Sequence, residues 1–410
     1  MILIFDLFET LIHNNSMDFN RALVHNYHCN NVEPEKGIEE ALKCFTKMGI
    51  PMYVLSNSGF SSAEVSGLLE NLGLRQYFTD VFSSADFGKT KPSKEFFELA
   101  INRALEDNPW EEYKDIFFVG DLYDTDVVGG LGAGITPIWI NSKPADSGAD
   151  SHPDYDGYEV ESTEYLCPLV KKIYEKMTFP SLLETTLNTR DLGGYEVRDG
   201  RVTKKLVILR SDRQAYPSEN DIFFLKKNNI TTIIDMRDEH DVELGPSGFA
   251  NKEDFTYLNI PIVEGSAVPP SVEAVPRSYM DIAHSVNMHR VFDAIADAKG
   301  GVMFNCSAGK DRSGVVSALL LTLCGVKDED IVDNYLLTKI CNKNRFKLVR
   351  KNRPEIDINI VIPRKSFMQD FLKMLYDKYE YIEDYFEAIG VKPDTVRKIK
   401  EKMLGEDEYV

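Results

Sequence analysis

Phe304-Asn305-Cys306-Ser307-Ala308-Gly309-Lys310-Asp311-Arg312-Ser313-Gly314 is the stretch from which the rest of the chain can be read. It leaves a short β-prone run, Val302–Phe304, and enters an apolar helical one, Val315–Leu323. A loop of small residues between strand and helix turns its backbone N–H groups inward and offers them, with the positive helix end, to a phosphate. The same field and Arg312 are expected to lower the Cys306 pKa and give a thiolate nucleophile at neutral pH. The Arg312 fork binds two phosphate oxygens and follows them into the transition state. Ser307, Ala308, Gly309 and Lys310 would cradle the phosphate, and Ser313 would help release Cys306 from a phosphocysteine. A free cysteine is usually just a small buried hydrophobe; Gly309, Arg312 and the helix beyond set this one apart.

Outward from this loop, β-prone runs recur at Leu206–Leu209, Thr231–Ile234 and Tyr257–Ile262, with helical stretches between them. The first half shows the same alternation, with strands expected at Ile2–Phe5, Met52–Leu55, Ile116–Val119 and Thr136–Ile140. In Gly37–Met48 the apolar Ile38, Ala41, Leu42 and Phe45 share one helix face, as do Phe96, Phe97, Ala100 and Ile101 later. Near-continuous apolar strands alternating with helices imply an α/β protein with parallel sheets covered on both faces. In such sheets function gathers beyond the strands' carboxyl ends. Four polar groups stand there in the first half: Asp6-Leu7-Phe8-Glu9-Thr10, Ser56-Asn57-Ser58, Lys91-Pro92, and Gly120-Asp121-Leu122-Tyr123-Asp124-Thr125-Asp126. An Asp, a hydroxyl, a Lys and a second acidic pair suit phosphoryl transfer, with one carboxylate attacking and Mg²⁺ bridging carboxylates and phosphate. Asp124, between the two motif acids, reads as an exposed loop residue.

The order and spacing of these groups resemble the haloacid dehalogenase (HAD) superfamily over roughly residues 1 to 177. The resemblance implies a Rossmann-like HAD core with Asp6 as nucleophile, Ser56 as the phosphate-binding hydroxyl with Asn57 beside it, and Lys91 as charge clamp. It also implies Mg²⁺ as cofactor, held on the side of Asp6, Asp121 and Asp126 and by the backbone carbonyl of Phe8. The phosphatases of that superfamily usually carry an Asp, the general acid, where this chain has Phe8. Protonation of a poor leaving group is therefore expected to be impaired, a step often worth about 10²–10⁴ in rate. Between Asp6 and Ser56 there is no room for a large cap, so the core is expected to be nearly capless.

A second resemblance extends from the Cys306 loop. Asn188-Thr189-Arg190-Asp191-Leu192-Gly193-Gly194, Arg210-Ser211-Asp212, and Asp235-Met236-Arg237 with Glu243 recur in that order in atypical, lipid-phosphatase-like bacterial tyrosine/serine phosphatases. So does the loop form C-x-x-G-K-D-R, and Tyr379–Leu404 resembles the closing helices of that family. The match covers residues 178 to about 405 and implies a tyrosine-phosphatase-like α/β domain that needs no metal. Asn305 stands where the family usually has His, which leaves the pH optimum open. For the general acid, Asp311 within the loop is the first choice; Asp212 and Glu264, each near a strand end, are alternatives.

Charge and composition bound the remaining possibilities. The chain has 410 residues, 43% hydrophobic and 28% charged, enough for two or three domains and unlike a disordered protein. Its net charge of −19 disfavours nucleic acid as a partner. Residues 1–177 hold 14 basic and 29 acidic residues, leaving 33 and 37 for the rest, which suggests two domains of separate origin. The boundary is expected near Thr178, giving domains 1–177 and 178–410, with a loop over Asn141–Gly157 inside the first. No run is long and apolar enough to span a membrane, and the apolar start, broken by Asp6 and Glu9, reads as a buried strand rather than a leader. The six cysteines form no CxxC pair, so a reducing cytoplasm is expected. His25-x-x-His28-Cys29 has metal-like spacing but no second ligand pair nearby. The basic run Lys343, Arg345, Lys347, Arg350, Lys351 and Arg353 reads first as a solvated helix face, and otherwise as a landing surface for a polyanion.

The sequence thus leads to a phosphomonoesterase working through Cys306 and Arg312 on phosphotyrosine, with phosphoserine and phosphothreonine also open, and to a Mg²⁺-dependent first domain of uncertain turnover. Substrates would be a phosphorylated protein, a phosphoinositide or a small phosphomonoester. The alternative is a phosphoinositide or inositol phosphate phosphatase with the first half as scaffold or phospho-ligand binding module. Oligomeric state has no signal in the sequence.

Overall fold

In the computed structural model Ile2–Phe5 forms β1, and all four of its side chains are buried. Alternation sends Leu3 and Phe5 into one core and Ile2 and Ile4 into another, which is the signature of a strand covered on both faces. The structure describes residues 1–14, 32–142, 157–177, 180–265 and 268–405, and they divide into two compact units, Met1–Thr178 and Phe179–Val410.

In the first unit a small antiparallel pair, β2 (Ile12–Asn14) with β3 (Val32–Pro34), stands apart from the main sheet. The main sheet adds β4 (Met52–Ser56), β5 (Asp80–Ser83), β6 (Ile116–Gly120), β7 (Thr136–Ile140) and β8 (Tyr158–Val160) to β1. Its order is β5-β4-β1-β6-β7-β8, parallel throughout. Helices Ile38–Lys47, Ser62–Asn71 and Leu166–Met177 cover one face through Phe45, Leu69 and Val170; Lys94–Asp107 covers the other through Phe96, Phe97 and Ile101. Since β1, β4 and β6 lie side by side, their carboxyl ends bring Asp6, Asn57 and Asp121 to one edge.

The second unit has β9 (Arg190–Asp191), β10 (Ile208–Ser211), β11 (Ile230–Asp235), β12 (Thr256–Asn259) and β13 (Gly301–Asn305), ordered β12-β11-β13-β10-β9. Only β9 runs antiparallel to its neighbour. The Arg312–Leu323 helix is apolar on every side, and its Val315–Leu321 segment is buried throughout, as a helix hydrophobic all round must be. It is the centre of a core that also draws on helices Val275–Ala283, Met288–Asp297 and Lys365–Lys378.

Three local differences from the sequence expectation have physical causes. The strand expected at Leu206–Leu209 begins at Ile208, because Leu206 takes a left-handed φ of 58° and its N–H donates to Asp191. The run Tyr257–Ile262 stops as a strand at Asn259, since Pro261 has no N–H for a ladder. Ile260 and Ile262 still donate to the carbonyls of Asp235 and Met236. Cys44 and Cys167, on two helices of the same face, form a disulfide with Cα atoms 6.5 Å apart. Their separation of 123 residues hides this link from any reading of cysteine spacing, and it lends no support to the reducing compartment expected from that spacing. The His25, His28, Cys29 group and most of the Asn141–Gly157 loop lie outside the described residues. No helix among the described residues is long and apolar enough to cross a membrane.

Candidate active sites

Cys306 follows the last residue of β13, the middle strand, and the helix begins six residues later at Arg312. Four donor residues from three separate segments hold the intervening carbonyls. Asn188 Nδ2 donates to Ala308 O (3.0 Å) and Gly309 O (3.1 Å), Arg210 Nη2 to Gly309 O (2.7 Å), Asn342 Nδ2 to Ala308 O (2.9 Å) and Arg345 Nη1 to Ser307 O (2.6 Å). In a trans peptide the C=O and the following N–H point opposite ways. Drawing these carbonyls outward therefore turns the N–H groups of Ala308, Gly309 and Lys310 into the loop. Gly309 makes this possible: its φ is +65°, and a Cβ there would stand 2.7–2.9 Å from Asn188 Nδ2, Ser211 O and Asp212 N. Gly309→Ala is expected to cost ~1–3 kcal/mol of stability and about 10²-fold in kcat/KM. Thermal melting and steady-state rates check both; an unaltered kcat/KM would mean that the loop tolerates another path.

The clamp Arg210 and its neighbour Arg190 are themselves enclosed. Arg190 donates to Asn334 O and Thr338 Oγ1, and Arg210 to Asn334 Oδ1. Burial pushes Arg210 down to about 10; it pushes Arg190 well below the usual guanidinium range, with Arg210 adding to the fall. Behind the nucleophile, Asn305 Nδ2 donates to Asp235 Oδ1 (3.0 Å). Asp235 also accepts from Arg237 (2.7 Å to Nη2) and from Tyr257 OH (3.0 Å), and both charged members of this pair are almost completely buried.

Cys306, Ser307, Ala308, Lys310, Asp311 and Arg312 line a cavity of about 340 Å³ whose walls include Val268, Ile282, Phe346, Val349 and Ile360, with Asp241 and Glu264 also bordering it. Ser313 Oγ lies 3.4 Å from Cys306 Sγ, within reach to donate. Arg312 is anchored by Met236 O (3.3 Å) and Asp238 (3.8 Å). The Lys310 ammonium donates to Ile360 O (3.1 Å) and Val361 O (2.8 Å) and pairs with Asp311 (3.3 Å), so it ties the loop to the Ile358–Val361 turn.

Of the three acids considered, Asp212 does not line the cavity. It is buried under the Leu187 and Asn188 N–H groups, and burial raises its pKa against the pull of Arg345. Glu264 lines the cavity, and burial pushes its pKa up, but hydrogen bonds from Ser285 and Val286 outweigh this and hold it low. Asp311 lines the cavity and accepts from Tyr279 OH (2.8 Å), which is 2.7 Å from Tyr335 OH. Burial raises both phenol pKa values, so both remain donors, and Tyr335 must donate to Tyr279.

In the first unit, Asn57 Oδ1 accepts from Lys91 N (2.7 Å) while its Nδ2 donates to Lys91 O (3.1 Å). This reciprocal pair aims Lys91 Nζ at Asp6 Oδ1 (2.6 Å) and Asp126 Oδ1 (2.8 Å). Burial raises the Asp6 pKa, with Lys91 opposing and Asp126 adding to the rise. For Lys91 burial acts downward, and Asp126 and Asp6 outweigh it and leave its pKa raised. A wide turn over Tyr123–Val127 brings Asp126 back to accept from Leu122 N (3.0 Å). That approach needs Gly120, where a Cβ would stand 2.3 Å from Asp126 Oδ2. Carboxylate oxygens of Asp6, Asp121 and Asp126 come within 4.8 Å of one another, a donor set that suits a hard divalent cation. Asp6, Phe8, Asn57, Lys91 and Thr125 line the adjoining cavity. Ser56 does not: its hydroxyl is buried with no hydrogen-bond partner among the described residues, and Asn57 and Ser58 line the wall beyond it.

The model of the tyrosine phosphatase family matches residues 182–405, more than half of the chain and all of the Cys306 site. The chain belongs to the tyrosine phosphatase family. A haloacid dehalogenase-like hydrolase model matches residues 18–134. A provisionally named tyrosine-protein phosphatase of Cupriavidus necator is 32% identical over 168 residues, covering 37% of this chain and 60% of its own. A tyrosine-protein phosphatase of Nostoc commune is 26% identical over 191 residues (42% and 65%). In the first half, a pyrimidine 5'-nucleotidase of Escherichia coli is 35% identical over 85 residues (21% and 36%). The chain thus spans between about a third and two thirds of these relatives' lengths.

Within this tyrosine phosphatase family member, the structure brings Cys306, Ser307, Asp311, Arg312 and Ser313 together around one loop. It likewise brings Asp6, Lys91, Asp121 and Asp126 together in the other unit. Sequence reasoning gave no role to the loop clamps Asn342 and Arg345, to the Tyr279–Tyr335 pair, or to Asp241, which accepts from Ser307 Oγ (3.0 Å). Arg345 was visible only as part of a basic run.

Proposed function

We propose that the second unit hydrolyses aryl phosphomonoesters, phosphotyrosine in proteins foremost, through a phosphocysteine at Cys306. The observation that carries this is the loop itself: four donor residues turn its N–H groups toward the space above Cys306, where Arg312 closes the ring. Cys306 Sγ attacks phosphorus, the P–O bond to the leaving oxygen breaks, and Asp311 gives that oxygen its proton. The loop N–H groups and Arg312 hold the three remaining oxygens, which gather charge in the transition state. Water then attacks phosphorus and gives a proton to the Asp311 carboxylate, the P–S bond breaks, and the Ser313 hydroxyl donates to the departing thiolate. A thiol nucleophile works only when reduced, so the proposed activity requires Cys306 to stay free while Cys44 and Cys167 are paired.

The walls favour an aromatic ring over a polyanion. Ile282, Phe346, Val349 and Ile360 are apolar, Asp241 and Glu264 are acidic, and Arg345 is already tied to Ser307 O. A phosphotyrosine peptide is therefore expected to exceed a phosphoserine peptide and an inositol phosphate in kcat/KM by at least about tenfold, near 1.4 kcal/mol. A higher value for the inositol phosphate would overturn this choice of substrate.

For the first unit we infer phosphoryl transfer to Asp6. Asp6, Asp121 and Asp126 would hold Mg²⁺, which when bound neutralises charge on the transferring phosphoryl group. Lys91 orients Asp6 and offsets the charge of the acid cluster. At a concentration about 100 times Kd, Mg²⁺ should stabilise the folded protein by about 2.7 kcal/mol, and Asp121→Asn should remove most of that gain. Calorimetric melting with and without MgCl₂ reads both; no shift in wild type would refute the site.

A further inference from the structure

We propose that the first unit takes its phosphoryl group from acyl phosphates and keeps it as a long-lived phosphoaspartate on Asp6. This rests on the reading of Asp6 as phosphoryl acceptor and adds the donor class and the fate of the product. Two proton transfers decide both. Cleaving an alkyl phosphate releases an alkoxide, which needs an acid beside the leaving oxygen; discharging a phosphoaspartate needs a base to take a proton from the attacking water.

Among the described residues lining the Asp6 cavity, none offers either. Asp6 is the sole carboxylate there, and no imidazole borders the space. Phe8 and Leu122 present hydrocarbon, and the other neighbours are hydroxyl, amide or glycine groups apart from Lys91. The Lys91 ammonium is occupied between Asp6 and Asp126 at 2.6 and 2.8 Å. Asp126, held by Lys91 and by Leu122 N, does not border the cavity.

An acyl phosphate avoids the first difficulty. An Asp6 oxygen attacks phosphorus, the P–O bond to the acyl group breaks, and the carboxylate departs with the electron pair. It needs no proton, since carboxylic acids are ionised at neutral pH. The second difficulty remains, so hydrolysis of the phosphoaspartate forgoes the factor of about 10²–10⁴ that a positioned base supplies.

The test uses the full-length Cys306→Ser protein, in which the other nucleophile is absent, with acetyl phosphate and MgCl₂. Intact mass spectrometry should show a gain of about 80 Da, one phosphoryl group. The adduct should survive removal of the donor, be discharged by hydroxylamine and be absent from Cys306→Ser/Asp6→Asn. Adding Phe8→Asp, which places a carboxyl at the cavity wall, should shorten its life by about 10²-fold or more and raise glycerol phosphate turnover by a similar factor. Should that variant misfold, the ratio of acetyl phosphate to glycerol phosphate turnover in Cys306→Ser decides instead. Rapid Asp6-dependent hydrolysis of glycerol phosphate without a phosphoenzyme would overturn the proposal and leave Asp6 as acceptor intact. No Asp6-dependent reaction with either donor, together with no Mg²⁺ effect on melting, would remove the underlying reading as well.

Discussion

Cys306→Ser is expected to lower p-nitrophenyl phosphate turnover by on the order of 10⁴-fold, about 5.5 kcal/mol of barrier, while EDTA and Asp6→Asn leave the wild-type rate nearly unchanged. The sulfur supplies the attacking electron pair, and a serine hydroxyl in the same place has no neighbouring base to ionise it. The loop carbonyls are held by Asn188, Arg210, Asn342 and Arg345, and none of these bonds uses the Cys306 side chain, so the substitution leaves the cradle in place. Binding of inorganic phosphate or vanadate to Cys306→Ser should therefore persist, which separates lost chemistry from lost structure. A metal chelator touches nothing in this site. Should EDTA abolish most of the wild-type rate, the aspartyl site and not the thiol site would be the main enzyme toward this substrate.

Asp235→Ala is expected to destabilise the second unit by about 3–5 kcal/mol, lowering its melting temperature by roughly 6–20 °C. Asp235 and Arg237 have relative exposures of 0% and 1%, so removing the carboxylate leaves a guanidinium charge buried without its counterion. Tyr257 OH and Asn305 Nδ2 lose their acceptor at the same time. Replacing both partners, as in Asp235→Leu/Arg237→Met, should recover most of the loss, because no lone charge then remains inside. A single variant melting within about 2 °C of wild type would show that the pair contributes little. Since Asn305 precedes the nucleophile, Asp235→Ala should also depress kcat more than KM.

The sheets were legible because buried parallel strands must be apolar on both sides, and Ile2–Phe5 and Ile116–Val119 have no other good reading. Edge and partial strands escaped: Asp80–Ser83 exposes part of its surface and Arg190–Asp191 is two charged residues long. The two candidate nucleophiles, Cys306 and Asp6, stood out through the residues C-terminal to them, a glycine-bearing loop in one case and distant acids at strand ends in the other. The supporting structure stayed hidden. Asn342 and Arg345 lie 34 and 38 residues beyond the carbonyls they hold, at the start of a helix whose patterning speaks only of burial and charge. The destination of the Lys310 ammonium stayed hidden for a related reason: its charge is visible in sequence, but the carbonyls of Ile360 and Val361 that capture it are not.

The clamps on the Cys306 loop also impose an order of events during synthesis. The cysteine and its loop leave the ribosome before Asn342 and Arg345 do; Arg345 holds the outward Ser307 O, and Asn342 adds a second donor to Ala308 O beside Asn188. A nascent chain that has reached only the Arg312–Leu323 helix holds a cysteine without a formed oxyanion cradle. Under the proposed mechanism the site would stay incomplete until the segment carrying Arg345 docks, so assembly of this unit and onset of its chemistry would coincide.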